Sequence, residues 1–241
     1  MIELLEHDHS PDAIRERLAA GPRASYLRDF VYGGIDGAVT TFAVVSGVVG
    51  ARLAPAVILI LGAANLVGDG FSMAASNYSG TRTEHEEMRA LRAREERHIA
   101  GDPDGEREEV SQILAAKGFG GDELRNAVGV VTADRERWIR FMLSEEYGLP
   151  SQVRSPWIAA WSTFAAFAVC GLVPLLPFVF SFSAPFVTSL LMTLCVFFAI
   201  GSVKSLWTTV PWWRAGLETL SIGVIAAALA YGAGAVLKRV I

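Results

Sequence analysis

The sequence predicts an all-α membrane protein with five transmembrane helices, a cytoplasmic helical domain between helices two and three, and a homodimeric assembly. The 241 residues are 52% hydrophobic with a mean hydropathy of +0.37, which is too apolar for a soluble domain of this size. The stretch 155–203 contains no charged residue, which fits two crossings. In contrast, 16 of the 25 acidic residues lie in the segment 81–154, which predicts a polar domain there.

The five crossings follow from apolar runs of sufficient length. A helix needs about 20 apolar residues to cross the hydrocarbon core, and the runs that meet this length are 29–51, 53–80, 156–180, 184–206 and 214–237. Pro174, Pro177 and Pro185 predict the turn between the third and fourth crossings. The chain is therefore expected to divide into an N-terminal cytoplasmic segment (1–28), helices one and two (29–80), the polar domain (81–154) and helices three to five (155–241).

The placement of lysine and arginine predicts the orientation. The segment 80–155 carries twelve basic residues, and Arg23 and Arg28 precede the first crossing, whereas the opposite side carries only Arg52, Lys238 and Arg239. Short basic segments stay in the cytoplasm, so the N-terminus and the polar domain are predicted to be cytoplasmic. The polar first 28 residues predict that crossing one is an uncleaved anchor. The net charge of −4 gives no indication of a nucleic-acid partner.

Two acidic residues interrupt the first two crossings. Asp36 lies in the apolar run 30–51, and the run 53–81 carries its own buried acid, Asp69. A carboxylate in hydrocarbon costs several kcal/mol unless it faces a cavity, a partner or a bound cation. The pair therefore predicts a path for cations. The alternative is a structural role in which each acid is held by fixed hydrogen bonds.

Crossing two also carries a polar stripe of Asn65, Asp69, Met73 and Asn77, spaced four residues apart and therefore on one helical face. A thioether beside carboxylate and amide oxygens is a mixed ligand set, which suits Fe(II) better than Mg(II) or Ca(II). The asparagines are equally consistent with interhelical hydrogen bonds, and Met73 with core filling. Glu218, near the start of crossing five, is expected to cap that helix or to reach the membrane surface.

The polar domain is predicted to contain four helices. Glu, Arg, Ala and Leu favour the first helix over 84–98, which ends at the break 101–105. The second helix is expected over 106–117, the third over 123–131 with Asp122 as its cap, and the fourth over 133–147.

Two motifs in this domain have the spacing of metal ligands. Glu95-x-x-His98 and Glu106-x-x-Glu109 each place two side chains on one helix face, and the turn between them folds these faces together. Met142, with Glu145 or Glu146, is expected to form a third wall. Glu-x-x-His is also the spacing of di-iron carboxylate bundles. The simpler alternative is a solvated acidic face.

The chain resembles the vacuolar iron transporter family over about 25–238. The resemblance rests on two motifs, Gly34-Ile-Asp-Gly-Ala-Val-Thr-Thr-Phe-Ala-Val-Val-Ser-Gly47 and Ala64-Asn-Leu-Val-Gly-Asp-Gly-Phe-Ser-Met73. It implies a proton-coupled exporter of cytosolic Fe(II) that works as a dimer, with the transport path at the dimer interface.

The resemblance also implies roles for individual residues. Asp36 matches the transport aspartate of the first helix, and Met73 matches the ligand methionine of the second. The metal-collecting residues of the cytoplasmic helices fall at Glu95, His98, Glu106, Glu109, Met142 and Glu146.

The chain departs from the family pattern at three positions. Asn65 stands where some members carry glutamate, His98 replaces a glutamate of the collecting site, and Leu143 stands where some members carry a second methionine. A one-residue shift of the alignment would instead assign the collecting roles to Glu96 and Glu108.

The function predicted from these observations is a divalent metal/proton antiporter, not an enzyme. Its cargo is Fe(II), with Mn(II), Co(II) and Zn(II) as further candidates, and no permanently bound cofactor is expected. The rival hypotheses are a membrane-tethered ferroxidase or iron store with a carboxylate/His di-iron site, and a purely structural membrane anchor. The composition favours a bacterial inner membrane, whereas a eukaryotic source would favour the vacuolar membrane.

Overall fold

A computed structural model describes residues 8–21, 24–150 and 152–240, and the side chains of 237–240 lie outside that description. The predictions that rest on Arg23, Lys238 and Arg239 therefore fall on residues or side chains that are not described. The described residues are helical and contain no β-strand, which confirms the all-α prediction. The α-helices are α1 (Pro11–Ala20), α2 (Leu27–Gly50), α3 (Pro55–Gly101), α4 (Pro103–Ala116), α5 (Gly121–Thr132), α6 (Arg135–Glu145), α7 (Pro156–Leu172), α8 (Leu176–Val179), α9 (Pro185–Lys204) and α10 (Trp212–Val240).

The chain divides into two compact units. The membrane unit comprises 25–82 and 154–241, and the polar unit comprises 1–24 and 83–153. Helix α3 contributes residues to both units, because it runs without interruption from Pro55 to Gly101.

The membrane unit contains the predicted crossings. Five helical segments among the described residues are long and apolar enough to span a bilayer, which confirms the predicted number. The third span continues beyond α7 through a 3-10 turn (Val173–Leu175) into α8. Pro174 and Pro177 are each the second residue of a helical turn, where proline lacks only an N–H that the start of a helix leaves unpaired anyway. The reversal of the chain follows at 180–184, before α9.

Helix α2 is the centre of the membrane unit and packs against α7, α9 and α10. Its closest neighbour is α7, because Gly33 and Gly37 lie directly on the α7 backbone. A Cβ atom at either glycine would collide with the carbonyl oxygen of Thr163 or Phe167. Small residues at such positions let two transmembrane helices approach closely, which is the main source of packing energy in a bilayer.

The polar unit has its own hydrophobic core. The end of α3 packs with α4 and α6 through buried apolar side chains, which are Ile99, Val110, Leu114, Trp138, Ile139 and Met142. Helix α5 covers this core with Leu124, Val128 and Val131. These contacts bring the ends of three acid-rich helices together.

Two predicted boundaries in the polar unit differ from the structure, and one helix of that unit was not predicted. Crossing two and the helix predicted over 84–98 form one helix, because the single Gly80 between them costs only about 1 kcal/mol and no proline intervenes. Asp122 does not cap α5, since Gly120 occupies the N-cap and Asp122 pairs with Arg125 in the first turn. Helix α1, which the sequence analysis does not predict, begins at a Ser10 cap.

Candidate functional site

The most unusual side chain of the polar unit is Glu95, a carboxylate with no exposed surface. Its relative exposure is 0%, and that of Glu106, on the facing helix, is 5%. Among the described residues, no N–H or O–H group donates a hydrogen bond to either oxygen of Glu95 or to Oε2 of Glu106. An ionised carboxylate in such surroundings costs several kcal/mol unless a cation or a proton compensates it.

The turn between α3 and α4 creates this pair. Asp102 caps α4 by accepting a hydrogen bond from the backbone N–H of Gly105 at 3.0 Å, and Pro103 occupies the first position of the helix. The chain reverses within two residues, so the last turns of α3 face the first turn of α4. Glu95 and Glu106 are thereby brought side by side.

The surroundings change the acidity of these groups. Burial, together with the neighbouring carboxylates of Glu106, Glu146 and Glu109, raises the pKa of Glu95 to about 8. Glu106 is close enough to share a proton with Glu95. Burial and the same negative neighbours also raise the pKa of Glu109. At neutral pH the cluster therefore holds a proton that a divalent cation can displace.

Most of the other predicted collecting residues surround this pair. Nδ1 of His98 lies 3.3 Å from Oε1 of Glu106, and the His98 side chain is half exposed. Glu109 and Glu146 are exposed at the rim, within electrostatic reach of Glu95. Met142 lies in the hydrophobic core of the unit, one helical turn before Glu146 on α6.

Glu96 and Glu108, the two acids that the shifted alignment would assign to metal collection, face outward. Glu96 pairs with Arg92 at 3.0 Å, and Glu108 is exposed and accepts a hydrogen bond from Gln112 at 3.1 Å. Both side chains therefore point away from the Glu95–Glu106 pair. The structure places Glu95 and Glu106, the residues of the ungapped alignment, side by side. It keeps Glu96 and Glu108, the residues of the shifted alignment, apart from that pair.

Tyr147, which no sequence motif indicates, also lies beside the cluster. Burial, with the charges of Glu146 and Glu95, raises the pKa of its hydroxyl to about 12, so it remains a hydrogen-bond donor. Its only sequence signal is its position next to Glu146.

Within the described ranges, no three His, Cys, Asp or Glu side chains are grouped so that they could hold a metal ion. The arrangement is thus a proton-sharing carboxylate cluster without a closed ligand sphere.

In the membrane unit the two asparagines of the polar stripe make interhelical hydrogen bonds. Asn65 donates to the hydroxyl oxygens of Thr40 and Thr41 on α2, at 3.1 and 3.2 Å. Asn77 donates to the carboxylate of Asp29 at 2.9 Å and to the hydroxyl oxygen of Thr163 at 2.7 Å. Both residues fasten α3 to its neighbours.

Asp29 is a buried acid that the sequence analysis overlooks. It is 3% exposed, and Arg154 donates to both of its oxygens at 3.1 Å while Asn77 donates to one of them. Its sequence neighbour Arg28 suggests a helix boundary in water. The sequence feature that could have revealed its burial is its spacing of four residues from Gly33. This spacing places Asp29 on the same, buried face of α2 as Gly33.

The two intramembrane aspartates differ from Asp29. Asp36 is half-buried and lies within electrostatic reach of Asp69. No described residue forms a hydrogen bond or an ion pair with either carboxylate. The structure of a single chain therefore does not support the alternative in which fixed hydrogen bonds hold each acid. Asp69 is exposed in a single chain rather than buried, because it lies on the flank of α3 that no other helix covers. Met73 is half-buried on the same helix.

Glu218 pairs with Lys204 at 3.5 Å and is largely exposed. This position agrees with a role at the membrane surface rather than in the interior.

Five membrane-length helices and a carboxylate cluster in a separate helical unit define a multi-pass membrane protein with acidic groups in both units. The sequence model that defines the VIT family matches residues 27–235 of this chain. The chain therefore belongs to that family. The predicted resemblance is thereby confirmed.

Three relatives illustrate the similarity. The chain is 31% identical to vacuolar iron transporter 2 of Oryza sativa subsp. japonica, with 86% of this chain and 85% of the relative covered. It is 30% identical to the vacuolar iron transporter of Plasmodium falciparum (isolate 3D7), with 88% and 82% covered. It is also 30% identical to vacuolar iron transporter 1 of Arabidopsis thaliana, with 85% and 83% covered. The names of these relatives favour transport over the ferroxidase or storage interpretation.

Proposed function

We propose that this protein exports Fe(II) from the cytosol across a membrane in exchange for protons. The observation that carries the proposal is Glu95, a fully buried carboxyl with no hydrogen-bond donor among the described residues and a raised pKa. A site of this kind is stable with a proton and also with a divalent cation, but not empty and ionised. It can therefore exchange one for the other.

The polar unit collects the metal in this proposal. Glu95 and Glu106 supply the inner carboxylates, and His98, Glu109 and Glu146 supply ligands at the rim. Met142 contributes a soft sulfur that favours Fe(II) over Mg(II). The Tyr147 hydroxyl lies beside Glu146 and stays protonated, so in this proposal it can donate a hydrogen bond to the Glu146 carboxylate.

The intramembrane aspartates carry the ion onward. Asp36 and Asp69 lack fixed partners among the described residues, and Met73 adds a thioether on the same helix as Asp69. Asn65 is held by threonine hydroxyls and cannot release a proton, so proton coupling rests on the two aspartates. Each aspartate is neutral when protonated, and its charge is compensated when metal is bound. In both states the free-energy cost of placing the carboxyl group in hydrocarbon is therefore low.

A homodimer completes the path, because Asp69 cannot face lipid without a large cost. Beside Asp69, α3 presents an exposed row of small residues at four-residue spacing, namely Ala64, Gly68, Ser72, Ser76 and Gly80. Such rows permit close helix association in membranes. Gly68→Leu is expected to convert the dimer to a monomer in detergent, measured by light scattering. The matched variant Ala228→Leu, at an exposed alanine of α10, is expected to leave the dimer intact.

Fe(II) is the first candidate cargo and Mn(II) the second, with Co(II) and Zn(II) after them. Fe(II) comes first because the relatives named above are iron transporters, whereas carboxylate, imidazole and thioether ligands can bind all four ions. The composition still favours a bacterial inner membrane, although the relatives named above are vacuolar transporters of plants and a parasite. The proposal contains no enzymatic step.

The test is Fe(II) flux into proteoliposomes with an imposed pH gradient. Asp36→Asn is expected to abolish the flux while the protein remains folded. The control is Glu218→Gln, an exposed acid paired with Lys204, which should retain normal flux. Full flux in Asp36→Asn would refute the path, and flux that ignores the pH gradient would refute proton exchange.

A further inference from the structure

His98 is the one nitrogen donor among the six residues predicted to collect metal, and it lies at the solvent side of the cluster. The other five residues offer four carboxylates and the Met142 thioether. Met142 is completely buried in the hydrophobic core, whereas half of the His98 side chain is exposed to solvent. An ion that arrives from water therefore reaches the imidazole before it reaches the sulfur.

The imidazole lies against one oxygen of the inner carboxylate pair. Nδ1 of His98 is 3.3 Å from Oε1 of Glu106, whose side chain is only 7% exposed. His98 also follows Glu95 by three residues on α3, so both side chains project from the same face of that helix. The nitrogen donor therefore stands at the entrance to the two buried carboxyl groups.

The distance between Nδ1 and Oε1 is the one that two ligands of a single metal ion adopt. Donor atoms bound at about 2.1 Å lie about 3.0 Å apart at an octahedral angle and about 3.4 Å apart at a tetrahedral angle. The observed 3.3 Å falls within this interval. The other oxygen of Glu106, Oε2, is buried and accepts no hydrogen bond from the described residues. An ion held between the imidazole and Glu106 would compensate this carboxylate.

Nitrogen and oxygen donors rank Fe(II) and Mn(II) differently. Affinity at a given site rises from Mn(II) to Fe(II), and imidazole suits Fe(II), whereas carboxylate and water suit Mn(II). A cluster of carboxylates alone therefore separates the two ions weakly. An imidazole in such a cluster widens the difference, because Fe(II) gains more from the nitrogen than Mn(II) does.

We propose that His98 is the residue by which the polar unit selects Fe(II) over Mn(II), with Nδ1 of His98 and Oε1 of Glu106 bound to the same ion. The imidazole is then neutral and carries its hydrogen on Nε2. Because no three ligand side chains are grouped within the described ranges, the other coordination positions fall to water or to acids that move toward the ion. This selectivity rests on the proposed collection of metal by the polar unit, and it concerns the choice between ions rather than their transport.

Anaerobic calorimetric titration of the full-length protein in detergent, once with Fe(II) and once with Mn(II), gives the ratio of the two affinities. His98→Glu replaces the nitrogen donor by oxygen and is expected to lower the preference for Fe(II) about fivefold. His98→Gln, which adds no negative charge, is expected to lower this preference to a similar extent. His85→Gln is the matched control, because His85 lies about 20 Å before His98 on the same helix. It should leave the ratio unchanged.

X-ray absorption at the iron edge tests the bond itself. An imidazole bound to iron adds scattering from the outer atoms of its ring, which a carboxylate or an amide does not reproduce. This signal is expected in the wild-type protein and in His85→Gln, and it should be lost in both His98 variants.

An unchanged affinity ratio in both His98 variants would overturn the proposal. Equally tighter binding of both ions in His98→Gln would also overturn it, because the imidazole would then be a cation that pairs with Glu106 and competes with the metal. If Glu95→Gln weakened binding of both ions while His98→Glu left their ratio unchanged, only the selectivity would fall. A wild-type protein that binds neither ion would refute the proposed collecting role itself.

Discussion

Asp29 and Glu95 are both almost completely buried carboxylates, yet their surroundings are opposite. Asp29, in the membrane unit, receives hydrogen bonds from the Arg154 guanidinium and the Asn77 amide. Glu95, in the polar unit, receives none from the described residues and faces other carboxylates instead. Burial alone therefore does not identify a ligand-binding acid.

The difference lies in the source of the compensating positive charge. For Asp29 the chain itself supplies this charge, so this acid joins α2 to α3 and to the segment that precedes α7. For Glu95 the charge must come from solution, as a proton or a metal ion. The same distinction separates Asp29 from Asp36 and Asp69 within the membrane unit. Four experiments test whether these carboxylates differ in this way.

The largest effect is expected for Asp29→Ala. The substitution leaves the Arg154 guanidinium and the Asn77 amide without their shared acceptor, and breaking such a buried pair costs about 3 kcal/mol or more. The unfolding midpoint of the full-length protein in detergent should fall accordingly. Arg28→Ala, at the exposed neighbour, serves as the control and should change the midpoint little. Equal midpoints for both variants would remove the structural role of Asp29.

Glu95→Gln is expected to weaken Fe(II) binding about tenfold to a hundredfold, since a charge-assisted contact of about 1.5–3 kcal/mol is lost. Anaerobic calorimetry on the full-length protein measures the change. The metal-free variant should be at least as stable as the wild type, because a neutral amide replaces a carboxyl that resists ionisation. A large loss of stability would place Glu95 in the same class as Asp29.

The stability of the metal-free protein should decrease as the pH rises. The pKa of Glu95 is about 8 in the folded protein and near its ordinary value of 4.5 in the unfolded chain. The folded state therefore holds this proton more tightly, and the resulting stability is complete below pH 4.5 and is lost as the pH approaches 8.

The difference between the wild type and Glu95→Gln isolates this contribution, which should fall by about 1 kcal/mol for each pH unit between about pH 5 and about pH 8. Saturating Fe(II) should remove the dependence, because the metal favours the ionised carboxyl. A pH-independent difference would contradict the raised pKa.

The smallest effects are expected for Glu96→Gln and Glu108→Gln. Both side chains point to solvent, and exposed ion pairs contribute about 0–1 kcal/mol. Fe(II) affinity should change by about twofold or less, as measured in the same calorimetric titration. A loss comparable to that of Glu95→Gln in either variant would show that the outward acids, and not the inward ones, bind the metal.

The membrane helices could be predicted from the sequence because uninterrupted runs of about 20 apolar residues are rare outside membrane spans. The continuity of α3 could not, since the change from apolar to charged residues near Thr81 resembles an end, although nothing there breaks a helix. Asp122 satisfies the usual preference for an N-cap, but Gly120 takes that position in the structure. Local preferences identify such elements better than they locate their ends.

The candidate site was predictable where spacing determined it. The Glu95 and Glu106 motifs flank an Asp-Pro turn that reverses the chain, so their meeting follows from local rules. Asp29 and Tyr147 could not be found in this way, because their importance comes from residues distant in sequence, such as Arg154 and Glu95. The exposure of Asp69 depends on which helices pack against α3, and no local sequence pattern predicts those contacts.

The backbone contact between α2 and α7 has a consequence for how the protein can move. With Gly33 and Gly37 seated against the carbonyls of Thr163 and Phe167, neither helix can slide along the other without a steric clash. In the proposed transport cycle, we therefore expect α2 and α7 to move together as one body. The displacement that opens each side of the membrane would then occur between this pair and the helices packed less closely against it.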